Sequence, residues 1–350
     1  MVTKHKSIVS RYGDWPVFGQ TRQVNILQRA VDSDRLSHAY LLYGLRGLGK
    51  KYIIRCLLKQ LFCERGTVKC NDCLSCRRIG TRTHSDVMYL PRSQASAITV
   101  DDIRAVLGFV SRSSEQPNGH KIVVIERAEY LTLEASNALL KMLEEAPTKV
   151  IFFLVAQHAA AIAPTVRSRC TLMKLLPLTD SEMRSWLGQF TLAPAQEDLT
   201  IGIAMGRPGR ALDLLQDNVA AYRQQIDASW RLISGTTAEN FAWLRQWQTK
   251  NKSQAKDGLL ISESDLTLEQ INYLELVLRD LLLSVINPTF ILNNFMAPAL
   301  KQTGQRFSLQ KLLRLMAALR QLRYNIRQNV NTTLAWEYFF LQLNQLKQTV

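Results

Sequence analysis

His38-Ala39-Tyr40-Leu41-Leu42-Tyr43-Gly44-Leu45-Arg46-Gly47-Leu48-Gly49-Lys50-Lys51 is the stretch on which the reading of this chain turns. The first six residues are a short apolar run closed by glycine, the pattern of a buried strand. Gly44, Gly47, Gly49 and Lys50 then fit G-x-x-x-x-G-K, and Lys51–Cys63 returns to helical periodicity. A glycine loop between a strand and a helix can cradle phosphates, because its backbone N–H groups and the helix N-terminus converge on them. Lys50 is the residue expected to reach the outer phosphates. The plainer alternative is a tight strand–helix turn that binds nothing.

The eighth position departs from the pattern. A hydroxyl there normally ligates Mg²⁺, but Lys51 offers an ammonium with three donors and no lone pair. A second strand, Lys121–Ile125, is followed by Glu126-Arg127, where a phosphate-loop ATPase usually carries Asp-Glu. Glu126 could stand in for the aspartate with one extra methylene. Arg127 cannot serve as a base, since a guanidinium stays protonated in proteins. These departures argue against Mg²⁺-dependent hydrolysis by the chain itself, while nucleotide binding without turnover stays compatible with the glycines.

Outward from the loop, Val24, Ile26, Leu27, Ala30 and Val31 recur at helical spacing before the first strand. Helices are expected at Thr99–Val110 and Leu133–Glu145, and a third strand at Val150–Val155. Continuous apolar strands alternating with helices predict a parallel α/β sheet. Past Leu176-Pro177 the patterns are helical, with a polar loop expected at 249–258 and helices at 266–285, 309–329 and 333–346. Residues 1–13 read as a polar arm.

Cys63, Cys70, Cys73 and Cys76 form C-x6-C-x2-C-x2-C in a basic, turn-rich segment. Four thiolates close a tetrahedral Zn²⁺ site, and two-residue gaps let successive sulfurs converge on one ion. Structural zinc is the expectation, with a Cys₄ iron–sulfur cluster the alternative. Cys56 and Cys170 are left over as small packing residues.

The 350 residues are 47% hydrophobic and 21% charged, which excludes collagen, long disorder and a disulfide-dense mini-scaffold. No apolar run approaches the ~18–20 residues of a membrane span, and the N-terminus lacks the apolar core of a secretion signal. A cytoplasmic location is expected. The net charge is +15, and two stretches, 50–92 and 301–350, each carry +7 of it. Such patches suit nucleic acid, phosphate, an acidic partner or plain solvent. Lys311, Arg314, Arg320, Arg323 and Arg327 mostly share a helix face, and no DNA contact is assigned to them.

The phosphate loop, the four cysteines, Asn137–Glu145 (NALLKMLEE) and Ser168-Arg169-Cys170, in this order, closely resemble the clamp-loader subunits of bacterial DNA polymerase III, which are AAA+ proteins. Val17–Gln20, His38–Tyr40 and Asn331–Leu343 extend the resemblance over nearly the whole chain. One branch of that family, gamma/tau, keeps intact ATPase motifs. The delta-prime branch has degenerate ones and retains the Ser-Arg-Cys arginine. Lys51, Arg127 and Ala156-Gln157, where an active relative would carry a polar sensor, match the second.

The resemblance implies α/β plus all-α architecture: an AAA+ P-loop domain at 1–177 with its zinc module at 63–76, a helical lid at 178–235, and a helical collar at 236–350. It implies a hetero-pentameric ring with gamma/tau and delta subunits, acting on a sliding clamp and primer-template DNA in replication. In that ring Arg169 would act in trans, as an arginine finger on a neighbour's ATP. Arg210, in the Gly206–Leu212 turn, lies where active relatives place a second sensor and stays outside the catalytic set. Two other readings compete: an active gamma/tau-type ATPase, against which Lys51 and Arg127 speak, and a zinc-ribbon nucleic-acid-binding protein on an inert phosphate-loop scaffold.

Overall fold

The computed structural model describes residues 15–91, 97–115, 119–145, 149–216, 218–256, 263–304, 307–328 and 330–348. The expected N-terminal arm lies outside them. The chain forms two compact units, one of residues 1–193 with 204–211, the other of 194–203 with 212–350.

The first unit is built on α1 (Thr21–Asp32), β1 (Ala39–Tyr43), α2 (Lys50–Phe62), α3 (Leu74–Thr81), β2 (Val87–Leu90), α4 (Val100–Val110), β3 (Lys121–Glu126), α5 (Leu133–Glu144), β4 (Val150–Ala156), α6 (Pro164–Arg167), β5 (Thr171–Lys174) and α7 (Asp180–Leu187). The sheet runs β2-β3-β4-β1-β5, and every pairing is parallel. Leu41 lies opposite Leu154, and Ile125 opposite the same residue from the other side.

Side chains alternate across this sheet, as strand geometry requires. Tyr40, Leu42, Val124 and Phe153 pack on one face with Ile53 and Leu57 of α2. Leu41, Val123, Phe152 and Leu154 pack on the other with Val106 of α4 and Leu139 of α5. Burial on both faces explains why β1, β3 and β4 read as unbroken apolar runs. Two strands escape the sequence reading. Val87–Leu90 has only four residues, and Thr171–Lys174 is an edge strand that buries only Met173. Helix starts carry local signals: Thr99 and Asp102 form a capping box at α4, as do Thr179 and Glu182 at α7.

Asp86 lies fully buried just before β2. It accepts hydrogen bonds from the Ser114 hydroxyl (2.9 Å) and the Glu115 N–H (3.2 Å), and pairs with buried Lys121 at 3.4 Å. A buried charge is tolerated only when paired and hydrogen-bonded, and this one ties the starts of two neighbouring strands.

The second unit is helical. α8 (Pro194–Ala204) and α9 (Pro208–Gln216) straddle the division between units. α10 (Asn218–Ser234), α11 (Thr237–Lys256), α12 (Glu263–Ile286), α13 (Ala297–Gly304), α14 (Leu309–Arg327) and α15 (Thr332–Gln348) follow. Trp336, Phe339 and Phe340 of α15 are fully buried in a core shared with Leu274 and Leu278 of α12 and Leu315 of α14. α11 corrects the loop expected at 249–258: residues 249–256 are helical. Lys, Gln and Ala in that segment form helix readily, and no glycine or proline intervenes before Gly258. The basic face of α14 is partly satisfied within the chain, since Arg323 bonds Glu275 (2.7 Å) and Asn272 (3.0 Å). Among the described residues no helix is long and apolar enough to cross a membrane.

Candidate functional site

The glycine loop joins β1 to α2 as its spacing predicts. Gly44, Gly47 and Gly49 all have positive φ (144°, 88° and 87°), a backbone that favours glycine. Gly44 has a second reason: a Cβ there would lie 2.5 Å from the Leu175 carbonyl oxygen. The loop is pinned from below by the Gly44 N–H, which donates to Gln157 O at the end of β4 (3.1 Å).

Lys50 is buried and folded onto its own loop. Its ammonium donates to the carbonyls of Gly44 and of Leu45, the latter at 2.9 Å. Burial pushes it down to about 8 from an ordinary 10.5; the Glu129 charge opposes that shift and Lys51 adds to it. Glu129, in the turn after β3, has no counterpart in the sequence reading. Its carboxyl is pushed up by burial, against the lowering effect of backbone N–H groups and of Lys50. Its Oε2 is buried with no hydrogen-bond partner among the described residues.

Lys51, read as a departure, and Glu126, read as a stand-in for the aspartate, meet. The Lys51 ammonium pairs with Glu126 Oε2, and Arg82 bonds Glu126 Oε1 at 3.0 Å. Glu126 is buried at the end of β3. Lys51, Arg55, Arg82, Tyr89 and Glu126 line one small cleft beside the loop. Arg82 sits just past the C-terminus of α3 with φ 61°, and its guanidinium stacks over Tyr89 at 5.3 Å. Nothing in the sequence pattern marks Arg82. Arg127 also has positive φ (57°) and turns its guanidinium onto the Tyr130 ring, 4.4 Å from the centroid. Its charge also acts on the Glu129 carboxyl.

The turn between α8 and α9 covers the loop. The Gly209 N–H donates to Gly47 O (2.8 Å), and Arg210 contributes its backbone N close to Gly47. Gly206, at φ 69°, fits against the Leu178 backbone, where a Cβ would lie 2.2 Å from the carbonyl oxygen.

The cysteines converge as the spacing predicts. Cys63 follows α2, Cys73 caps α3, and the four sulfurs lie within 4.8 Å of one another. A tetrahedron with Zn–S of ~2.3 Å has edges of ~3.8 Å, so the donor set fits a structural zinc ion held by Cys63, Cys70, Cys73 and Cys76. Backbone N–H groups of Cys73 and Asp72 hold the Cys70 thiol down at about 7, while burial pushes Cys76 well above the ordinary thiol value. A bound cation would supply what Cys76 needs to ionise. Cys56 and Cys170 are buried, with thiols pushed up to about 12 and about 11, as inert packing residues should be.

Arg169 follows α6 on the surface of the first unit. Its Nη1 donates to Thr165 O (3.0 Å) and Ser168 Oγ (3.4 Å), and its Nη2 pairs with Glu144 at the end of α5.

A five-stranded parallel sheet with a phosphate loop after its β1 strand, a covering helical turn and an inserted Cys₄ module is the architecture of an AAA+ P-loop fold. Residues 19–179 match the family model described as DNA polymerase III, delta subunit. DNA polymerase III subunit delta' of Pseudomonas aeruginosa is 34% identical over 197 residues, a stretch covering 54% of this chain and 59% of the relative. The delta' subunit of Bacillus subtilis is 25% identical over 332 residues, 93% of this chain and 96% of that one. A gamma subunit-related protein from Thermotoga maritima aligns over 94% of this chain and 99% of its own, with a TM-score of 0.47 at 16% identity. Over its first half the chain is similar to the delta' subunits of bacterial DNA polymerase III, spanning somewhat over half the length of the Pseudomonas relative, and the Bacillus similarity extends over 93% of the chain.

Proposed function

We propose that this clamp-loader subunit does not hydrolyse ATP itself and acts as a stator that lends Arg169 to a neighbouring subunit's ATP. The observation that carries the first half is the pairing of Lys51 with Glu126. An ammonium takes the place where a hydrolysing relative needs a divalent cation, and it cannot polarise a phosphate–water pair as Mg²⁺ does. Lys50 spends two of its three donors on loop carbonyls, and Arg127 faces Tyr130. Gly44, Gly47 and Gly49 keep the cradle's backbone without its chemistry.

The second half is supported by the placement of Arg169, anchored on a rigid turn yet 36% exposed. An arginine supplied in trans stabilises transition-state charge on a transferring phosphoryl group. The partners under this reading are gamma/tau and delta subunits in a hetero-pentameric ring, with the sliding clamp and primed DNA met by the assembly in the cytoplasm. Residues 1–177 form the AAA+ domain, 178–235 the lid and 236–350 the collar. Zinc held by the four cysteines is structural, because the four sulfurs leave no open position.

The test is steady-state ATP turnover by the isolated chain and by a ring reconstituted with ATPase partners, carrying Arg169 or Arg169→Ala. The isolated chain should be silent. The Arg169→Ala ring should assemble normally and lose turnover at the site facing this subunit by about 10³–10⁵-fold, the range known for arginine fingers. Mg²⁺-dependent turnover by the isolated chain would hand the role to an active gamma/tau-type ATPase. Tight DNA binding by the isolated chain would favour the zinc-ribbon reading.

A further inference from the structure

Glu144 closes α5, the helix of the NALLKMLEE segment, and Glu145 follows it as the cap. Two carboxylates at a helix C-terminus oppose the helix dipole, which favours cations there. For Glu144 the structure supplies the compensation: the Nη2 group of Arg169, 25 residues further on. Both side chains are partly in solvent, 36% exposed for Arg169 and 43% for Glu144. An exposed ion pair of this kind adds little to stability, so its effect is sought in orientation.

The guanidinium is held on three sides. Nη1 spends both protons on Thr165 O and Ser168 Oγ, and Nη2 spends one on Glu144. A guanidinium has five N–H donors. Among the described residues the Nε–H and one Nη2–H are left, which is the complement needed for a bidentate grip on a phosphate. Thr165 and Ser168 belong to the same turn as Arg169 and move with it. Glu144 alone ties the group to another element, and α5 packs directly under the sheet through Leu139 and Leu143.

We propose that Glu144 is a positioning residue for Arg169: it fixes the guanidinium to the end of α5, so that the arginine meets a neighbour's phosphate already oriented. This rests on the trans-acting reading of Arg169. Pre-orientation removes rotamer freedom before the reaction, and the gain appears in turnover more than in nucleotide affinity.

The experiment is a double-mutant cycle in the reconstituted ring, with the wild type, Glu144→Gln, Arg169→Ala and the double variant, and Glu144→Asp as the conservative control. Ring assembly is checked for each by sedimentation. Glu144→Gln should lower kcat by about three- to tenfold at the site facing this subunit, leave KM for ATP unchanged, and add nothing in the Arg169→Ala background. Glu144→Asp should restore part of the loss. Arg169→Ala effective with Glu144→Gln silent, or a Glu144→Gln loss repeated in full in the Arg169→Ala background, overturns the positioning role alone. Arg169→Ala without effect overturns the trans-acting reading, and the positioning role with it.

Discussion

Replacing Gly209 by alanine tests whether the α8–α9 turn is seated on the phosphate loop. The added Cβ would lie 2.9 Å from the Gly47 Cα and 3.1 Å from its carbonyl oxygen. Both atoms are backbone, so the turn must lift. Overpacking of this kind costs about 1–3 kcal/mol, and loss of the 2.8 Å bond from the Gly209 N–H to Gly47 O adds about 1 kcal/mol. Alanine returns up to about 1 kcal/mol of helix propensity at the start of α9, so the net loss is about 1–3 kcal/mol. Gly108→Ala in α4 is the control: nothing lies within 4 Å of its Cβ, and it should gain about 0.5–1 kcal/mol from the same propensity. Hydrogen exchange followed by mass spectrometry reads the turn and the loop separately from the second unit. At 1.4 kcal/mol per tenfold, amide 209 and the 44–50 peptide should exchange about 5–150 times faster in Gly209→Ala. Unchanged protection there, with Gly209→Ala as stable as Gly108→Ala, would mean that the turn does not rest on the loop.

Purified chain should carry one zinc per molecule, and Cys76→Ser should lose it, with the 63–84 segment becoming protease-sensitive; full zinc content in Cys76→Ser would refute the four-sulfur site. A pH titration addresses Lys50, whose ammonium is lowered to about 8 in the folded chain. The folded chain then binds fewer protons than the unfolded one between about pH 8 and 10.5, so stability at this site rises with pH across that window and the full penalty is present below it. Relative to Lys50→Met, the wild type should gain on the order of 3 kcal/mol between pH 7.5 and 10.5 in urea denaturation, at 1.36 kcal/mol per unit; a pH-independent difference would show that Lys50 keeps its ordinary value.

What was legible in the sequence follows burial. β1, β3 and β4 are covered on both faces and announce themselves as apolar runs. β5 buries a single residue at the sheet edge, and three exposed positions erase the pattern. α3 was hidden because its own residues, Leu74–Thr81, sit among the cysteines and arginines of a segment that reads as turns. The glycines, the cysteines and Lys51 were legible because each is read against a local pattern. Arg82 was not: it meets Glu126 across 44 residues, and only the folding of the metal module onto the β2–β3 edge joins them. Glu129 could have been found as a carboxylate two residues past Arg127. Glu144 carried a signal too, an acid at the helix end where a cation is favoured.

In the sequence Lys51 reads as a lost metal ligand and Glu126 as a stand-in for the metal-binding aspartate, with nothing to connect them. Their pairing makes them one exchange. A divalent cation at this position would need a hydroxyl and a carboxylate that attract it; here the carboxylate is already shared between an ammonium and a guanidinium. Both cations sit on side chains about half exposed, while Glu126 is buried. The acid therefore depends on the two bases more than they depend on it, because an unpaired carboxylate in that place carries the larger desolvation penalty. Returning Lys51 alone to a hydroxyl residue removes one of the two cations from Glu126 and leaves Arg82 still occupying the other oxygen. Under the proposed role, a change at position 51 alone does not restore a metal site. Arg82 stands six residues beyond the last cysteine of the Cys₄ module, so under the proposed non-hydrolysing role that module contributes, through one guanidinium, to keeping the phosphate site closed to a metal ion.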